Sequence, residues 1–440
     1  MEHLEEGSSF FWFVTDNIKV LMACRVLWSW STSIVYPFFS LYILALGGTS
    51  REVGLINSLG ILAGMILYPV GGYIADRSGR VKLIGYSTAL YAASHLFFAF
   101  AQNWQMVALG QFLGQLFLFY MPAMNALEAD SLPAGARGRG FAVIMAVPGA
   151  VRIIAPSIGG WLIEWYQRNA ALSNDQALVQ AVRLAWMVAT VTGFVVAAIR
   201  LRYLKETVDD DGMADPFRWR DIPRVIKESY RSIGDSVRWM SSSLRMVVGI
   251  EMLTAFFIAM SAPFYVVYAK QVIGISEYQW GLVMLISGFI GITLAFPMGS
   301  LVDRIGAKKM ILVGMGMAPL VLFSYQYAGG FAAIALILSI VSIINNIMRP
   351  AFSTLIADII PRSRRGRLYS LIGERGVTIS FGNFWGGGFL LFMPAAIGSY
   401  IGGEIYVINP ALPTIITAAS LGIAFILILM FVEEPTNVEQ

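Results

Sequence analysis

The sequence predicts an all-α polytopic membrane protein, with twelve transmembrane helices in two pseudo-symmetric bundles of six. Three observations carry this reading. Of 440 residues, 57% are hydrophobic and only 13% charged, whereas soluble domains carry roughly 25% charged residues. Apolar runs of at least ~18 residues recur along the whole chain, each long enough for a membrane span. Finally, the stretch G-Y-I-A-D-R-S-G-R-V-K at 72–82 returns as G-S-L-V-D-R-I-G-A-K-K at 299–309. Each copy lies between two apolar runs, so a glycine-punctuated basic turn recurs at half-length.

The predicted helices lie near 18–44, 53–74, 81–101, 105–126, 140–164 and 181–202 in the first half. In the second half they lie near 245–269, 279–300, 310–328, 331–355, 368–395 and 411–432. The bundles are thus expected at 1–202 and 245–440, joined by a polar linker at 203–244 that holds Asp209, Asp210, Asp211, Pro216 and Pro223. That linker could place an amphipathic stretch on the membrane surface.

An even number of spans puts both termini on one side. The connections on that side (75–82, 127–139, 203–244, 301–309 and 356–367) hold 19 Lys and Arg. The opposite connections hold three, Arg51, Arg168 and Lys270. The basic side faces the cytoplasm, so both termini, the linker and both repeated turns are expected there, in a multi-pass cell-membrane protein. The net charge of +4 reflects this bias rather than nucleic-acid binding. The first 16 residues carry four acids and no Lys or Arg, unlike the basic start of a cleaved signal. The lone cysteine, Cys24, can form no internal disulfide.

The duplication reaches beyond the turns. Tyr36-Pro37-Phe38-Phe39 matches Ala262-Pro263-Phe264-Tyr265, and Tyr42 matches Tyr268. Ala129-Asp130, Pro133 and Arg137-Gly138-Arg139 match Ala357-Asp358, Pro361 and Arg365-Gly366-Arg367. Six helices repeated in parallel orientation are the pattern of one large transporter class, with its substrate site between the halves near the bilayer midplane.

On these residues the chain resembles the major facilitator superfamily over its whole length. The family's turn between helices 2 and 3 is represented by Gly72, Asp76, Arg77, Gly79, Arg80 and Lys82, and its second copy by Gly299, Asp303, Arg304, Gly306, Lys308 and Lys309. The resemblance implies that the turns latch one access state by ion-pairing across the halves. Asp76 is expected to meet Arg367, and Asp303 to meet Arg139. Two further signatures are partial. The arginine usual in helix 4 of drug/proton exporters is missing from Gln111-Phe112-Leu113-Gly114. The helix 5 antiporter pattern appears as Ala155-Pro156-Ser157-Ile158-Gly159-Gly160, with alanine for its first glycine. It favours export by antiport, and is equally a bend and a packing face.

Charge within a span costs at least ~2.5–3.5 kcal/mol, so such residues are functional candidates. Arg25 in helix 1 and Glu251 in helix 7 are repeat equivalents, and are expected to bridge the halves near the cytoplasmic side. Glu251 is the first candidate for proton coupling, and Glu374, beside Arg375 in helix 11, the second. Arg152 in helix 5 suggests recognition of a carboxylate or phosphate. Arg25, Arg349, Asn345, Asn346, Gln111 and Gln115 complete the candidate substrate contacts. His95 among Phe97, Phe98 and Phe100 reads as structural, and the helix 1 aromatics Trp28, Trp30, Tyr36, Phe38 and Phe39 as packing or interfacial.

No phosphate loop, zinc motif or acid/base constellation occurs, so no metal, cofactor or enzymatic activity is expected. The expectation is a secondary transporter that moves a small organic solute by alternating access. It is expected to be coupled to protons, exporting, and monomeric in the bilayer. The alternatives are uptake or exchange of an organic anion or phosphate ester, and a non-transporting receptor on a transporter scaffold.

Overall fold

The computed structural model describes residues 14–75, 79–133, 135, 137–207, 222–360, 368, 371–373, 376–382 and 388–432. Among them, twelve long helices follow in order. The first six are α1 (Asp16–Ala45), α2 (Ser50–Ala75), α3 (Arg80–Ala99), α4 (Trp104–Asp130), α5 (Arg137–Asn169) and α6 (Asn174–Tyr203). The second six are α7 (Ser242–Ile273), α8 (Glu277–Ile305), α9 (Ala307–Tyr327), α10 (Phe331–Ile359), α11 (Phe389–Ile408) and α12 (Leu412–Phe431). Eleven are long and apolar enough to cross a membrane. The exception, α3, is diluted by Ser87, Thr88, Ser94 and His95.

The repeat is visible in the backbone. Pro37 and Pro263 each lack an amide hydrogen to donate, and both helices tighten there into a 3-10 turn, at Tyr36–Phe38 in α1 and Ala262–Phe264 in α7. Packing repeats as well. The pairs α1–α6, α2–α4 and α3–α6 recur as α7–α12, α8–α10 and α9–α12. The halves meet chiefly through two pairs that the same operation exchanges, α2 with α11 and α5 with α8.

The outer surface suits lipid: Tyr86, Val191, Phe289, Leu320 and Leu336 are all exposed. Trp165, Tyr327 and Tyr400 near one end, and Tyr203 at the other, have the placement of interfacial aromatics. Between the halves, Ile222–Trp239 forms the expected amphipathic helix. It packs on α2, with Val225 buried and Arg224, Lys227, Arg231 and Arg238 exposed.

The largest departure from expectation is helix 11. A helix over 368–395 was anticipated, but the described residues 376–382 are not helical, and α11 begins only at Phe389. Gly376 and Gly382 have φ of 58° and 106°, values that side chains with a Cβ rarely adopt. The irregular backbone is nonetheless paired. Asn345, halfway along α10, donates to the Ile379 carbonyl and accepts from the Ile379 N–H, both at 2.9 Å. The Gly382 N–H donates to the Ala262 carbonyl at 2.8 Å. Val377 and Ile379 are buried. Apolar content alone cannot distinguish such a packed, partnered loop from a helix.

Candidate functional site

The two bundles join at the end away from the basic loops. At α2–α11, a Cβ on Gly54 would lie 2.6 Å from the Ser399 carbonyl oxygen, so the backbones touch. Ser399 Oγ donates to the Gly54 carbonyl at 3.3 Å, and Arg51 pairs with Glu404 at 3.0 Å. At α5–α8, a Cβ on Gly160 would lie 2.5 Å from the Glu277 carbonyl oxygen, and one on Gly281 equally close to that of Pro156. The partial antiporter pattern on α5 is therefore a close-packing face against the other bundle. Glu277, itself buried and paired with Lys270, reaches Gln167 across this seam at 3.5 Å. A cavity of about 400 Å³ lies at the same end, lined by Thr49, Asp175, Lys270, Gln271 and Val407 among others.

At the basic-loop end the bundles part. The N-terminal bundle there has its own core of Ile18, Leu21, Ile84, Tyr120, Met124, Leu127 and Ile144, separate from the large cluster that spans both halves. Met145 on α5 and Ile292 and Phe296 on α8 are exposed. The molecule is closed at the far end and open at the basic end.

The charged layer at that opening is wired differently from the expectation. Arg25 does not bridge to Glu251. Its Nε and Nη2 donate to Glu128 Oε1 on α4, at 2.8 and 2.5 Å. Glu128 is 1% exposed. The expected helix 4 ended at 126, which left Glu128 in a loop. In the structure, a 3-10 turn at Leu118–Tyr120 and a further segment, Met121–Asp130, carry the helix past it. The signal was present in Pro122, which fits the first turn of a restarted helix. Glu251 is 2% exposed, and among the described residues neither carboxylate oxygen has a hydrogen-bond partner. With the basic end open, α1 and α7 pack together through their far-end segments, Phe39–Ala45 and Tyr265–Tyr268.

The other candidates divide. Asn345 is taken up by the irregular segment, and Asn346 donates to the Gly291 carbonyl of α8 at 2.6 Å, so both are helix-to-backbone contacts here. Gln111 is buried under Gly60, and Gln115 is half-buried on the same helix. Arg152 and Arg349 are exposed. Glu374 and Arg375 lie outside the described residues. His95 is fully buried in an aromatic cage of Trp28, Tyr91, Phe98 and Trp186. Sequence reasoning also passed over Arg200, buried on α6, which donates to Thr88 Oγ1 at 2.6 Å and to the Tyr120 hydroxyl at 3.3 Å.

Of the repeated turns, Asp76, Arg77 and Arg367 lie outside the described residues, so the expected Asp76–Arg367 latch falls there too; Gly72 lies within α2. Arg80 pairs with Asp130 at 2.5 Å. Glu206, from the linker, accepts from the Val81 N–H at 3.0 Å, a carboxylate at the positive end of α3. In the second copy, Gly299 lies within α8 and Gly306 adopts a φ of 99° between α8 and α9. Asp303 and Arg304 are exposed, as is Arg139, and the expected Asp303–Arg139 bridge is not formed. A latch between basic-side turns has nothing to hold when that side is open.

A profile of the Major Facilitator Superfamily matches residues 21–381 and again 247–440. The chain is similar to the multidrug resistance protein MdtG of Proteus mirabilis, with 24% identity over 352 residues, 77% of this chain and 80% of that protein. It is 30% identical to the quinolone resistance protein NorA of Staphylococcus aureus over 132 residues, 30% of this chain and 34% of that one. Its fold is similar to a crystal structure of the peptide transporter POT in complex with sulfate, at a TM-score of 0.65 and 14% identity, covering 96% of this chain and 94% of the other.

Proposed function

The chain belongs to the major facilitator superfamily, and on that premise we propose that this multi-pass membrane transporter is a proton-coupled exporter of a small organic solute. The observation that carries the proposal is Glu251: a carboxyl buried on α7 with no hydrogen-bond partner among the described residues. Such a group costs far less neutral than ionised, and once ionised it needs a counter-charge. A proton on Glu251 is thereby tied to how the bundles sit. The similarity to two resistance proteins supports export, and the packing of the α5 pattern against α8 supports a rocking seam. The basic end is assigned to the cytoplasm, which makes the structure inward-open.

The test is transport by purified protein in proteoliposomes under an imposed pH gradient. Flux is expected to follow the gradient in the wild type, and Glu251→Gln is expected to exchange substrate without responding to it. Gradient-insensitive wild-type flux, or coupling that survives the substitution, overturns the assignment. A second reading, exchange of an organic anion, is favoured by the exposure of Arg152 and Arg349 on α5 and α10. Anion binding abolished in a folded Arg152→Ala protein would select it.

A further inference from the structure

Arg25 uses only one edge of its guanidinium. Nε and Nη2 both point to Glu128 Oε1, while the side chain remains 21% exposed and Nη1 makes no hydrogen bond. Its repeat equivalent in the other bundle is the unpaired Glu251. The surroundings of Glu251 offer little other charge among the described residues. On α7 itself stand Arg245, exposed near its start, and Lys270, paired with Glu277 at the far end; the packed helix α12 carries none, and α11 only Glu404, held by Arg51 at the far end. Helix α10 adds Arg349 and Asp358, and α1 adds Asp16 and Lys19 besides Arg25; Asp16 and Lys19 pair with each other at the exposed start of α1.

We infer that Arg25 is a shared cation that exchanges carboxylates during the transport cycle. It pairs with Glu128 while the basic end is open, as here, and with Glu251 when that end closes and brings α1 against α7. This inference rests on the alternating-access reading above, and gives Glu128 a positioning role that the sequence did not suggest. Glu128 parks the guanidinium in its own bundle, so the cation has a partner in the open state. The planar fork of donors lets Arg25 bond a second carboxylate from its free edge before releasing the first. Only ionised Glu251 can take it. A proton on Glu251 leaves Arg25 with Glu128 and the basic end open; loss of that proton lets the ends close. Alternate carboxylates on either side of one cation thus convert a proton into a preference between two packings.

The experiment reads conformation at fixed pH without substrate. Spin labels go on Met145→Cys and Phe296→Cys, both exposed on the parted ends of α5 and α8, in a Cys24→Ser background in lipid nanodiscs. Pulsed electron resonance then gives the distance distribution. Glu128→Gln is expected to raise the population with short label separation by at least ~5-fold. Glu251→Gln is expected to deplete it. The double variant should no longer respond to Arg25→Gln. Glu128→Asp, which keeps the charge, should retain the wild-type distribution and shows that a shift in Glu128→Gln is not misfolding. An unmoved Glu128→Gln distribution, or one that moves the same way as Glu251→Gln, overturns the inference. Because no gradient is applied, this outcome is independent of whether flux follows protons. If the exchange fails but proton coupling stands, Glu128→Gln will still transport with wild-type gradient dependence.

Discussion

Asn345 shows how a residue's type can be legible while its task is not. An amide inside a membrane helix reads as a polar contact, and the choice between substrate and protein depends on what stands opposite. Here it is the backbone of Ile379, bonded twice. Asn345→Ala would leave a buried N–H and C=O unpaired, at about 1–3 kcal/mol each. A lowered thermal midpoint in detergent is expected. An unchanged midpoint would mean that the segment is held by something else. The same limit explains Arg25. Repeat symmetry located both Arg25 and Glu251, but symmetry between halves cannot say which helix of its own bundle supplies a nearer partner. Glu128 became visible only when α4 proved longer than its apolar run.

Among elements, the long apolar helices were readable because burial in lipid acts locally, while Pro37 and Pro263 were read only as matching positions of the repeat and not as the 3-10 breaks they make. The start of α11 was not readable, since a packed loop of Val377 and Ile379 is as apolar as a helix. The seam between α5 and α8 was half readable. Glycines announce a close approach, but not the partner. Gly281→Leu places a side chain where the Pro156 carbonyl already lies. Overpacking of this kind costs about 1–3 kcal/mol, and falls only on the state in which the far ends are joined. The variant is expected to favour opening there. A cysteine at Thr49, in the far-end cavity, should then be alkylated faster by an impermeant reagent than in the Gly281 protein. An equal rate would show that the seam does not hold that end shut.

For the whole molecule, the far-end closure rests on backbone contact rather than on its ion pair. Arg51 and Glu404 are both substantially exposed, so the bridge is worth only about 0–1 kcal/mol. Arg51→Ala should leave thermal stability and its salt dependence nearly unchanged, whereas a large drop would mean that the pair is a principal clamp. Orientation follows from charge counting, and a fluorescent reporter fused after Gln440 should fold and glow in the cytoplasm; a dark fusion with full-length expression would reverse the topology. The non-helical stretch at 376–382 also bears on how the chain is built. Non-helical backbone cannot face hydrocarbon unpaired, and its partners, Asn345 and Ala262, lie on α10 and α7. Those helices must be inserted and side by side before the stretch can settle. The 20 residues of α11 can cross the bilayer unaided. Biogenesis of the second bundle therefore has an order: helices first, and the loop threaded last into a cleft that only the assembled neighbours provide.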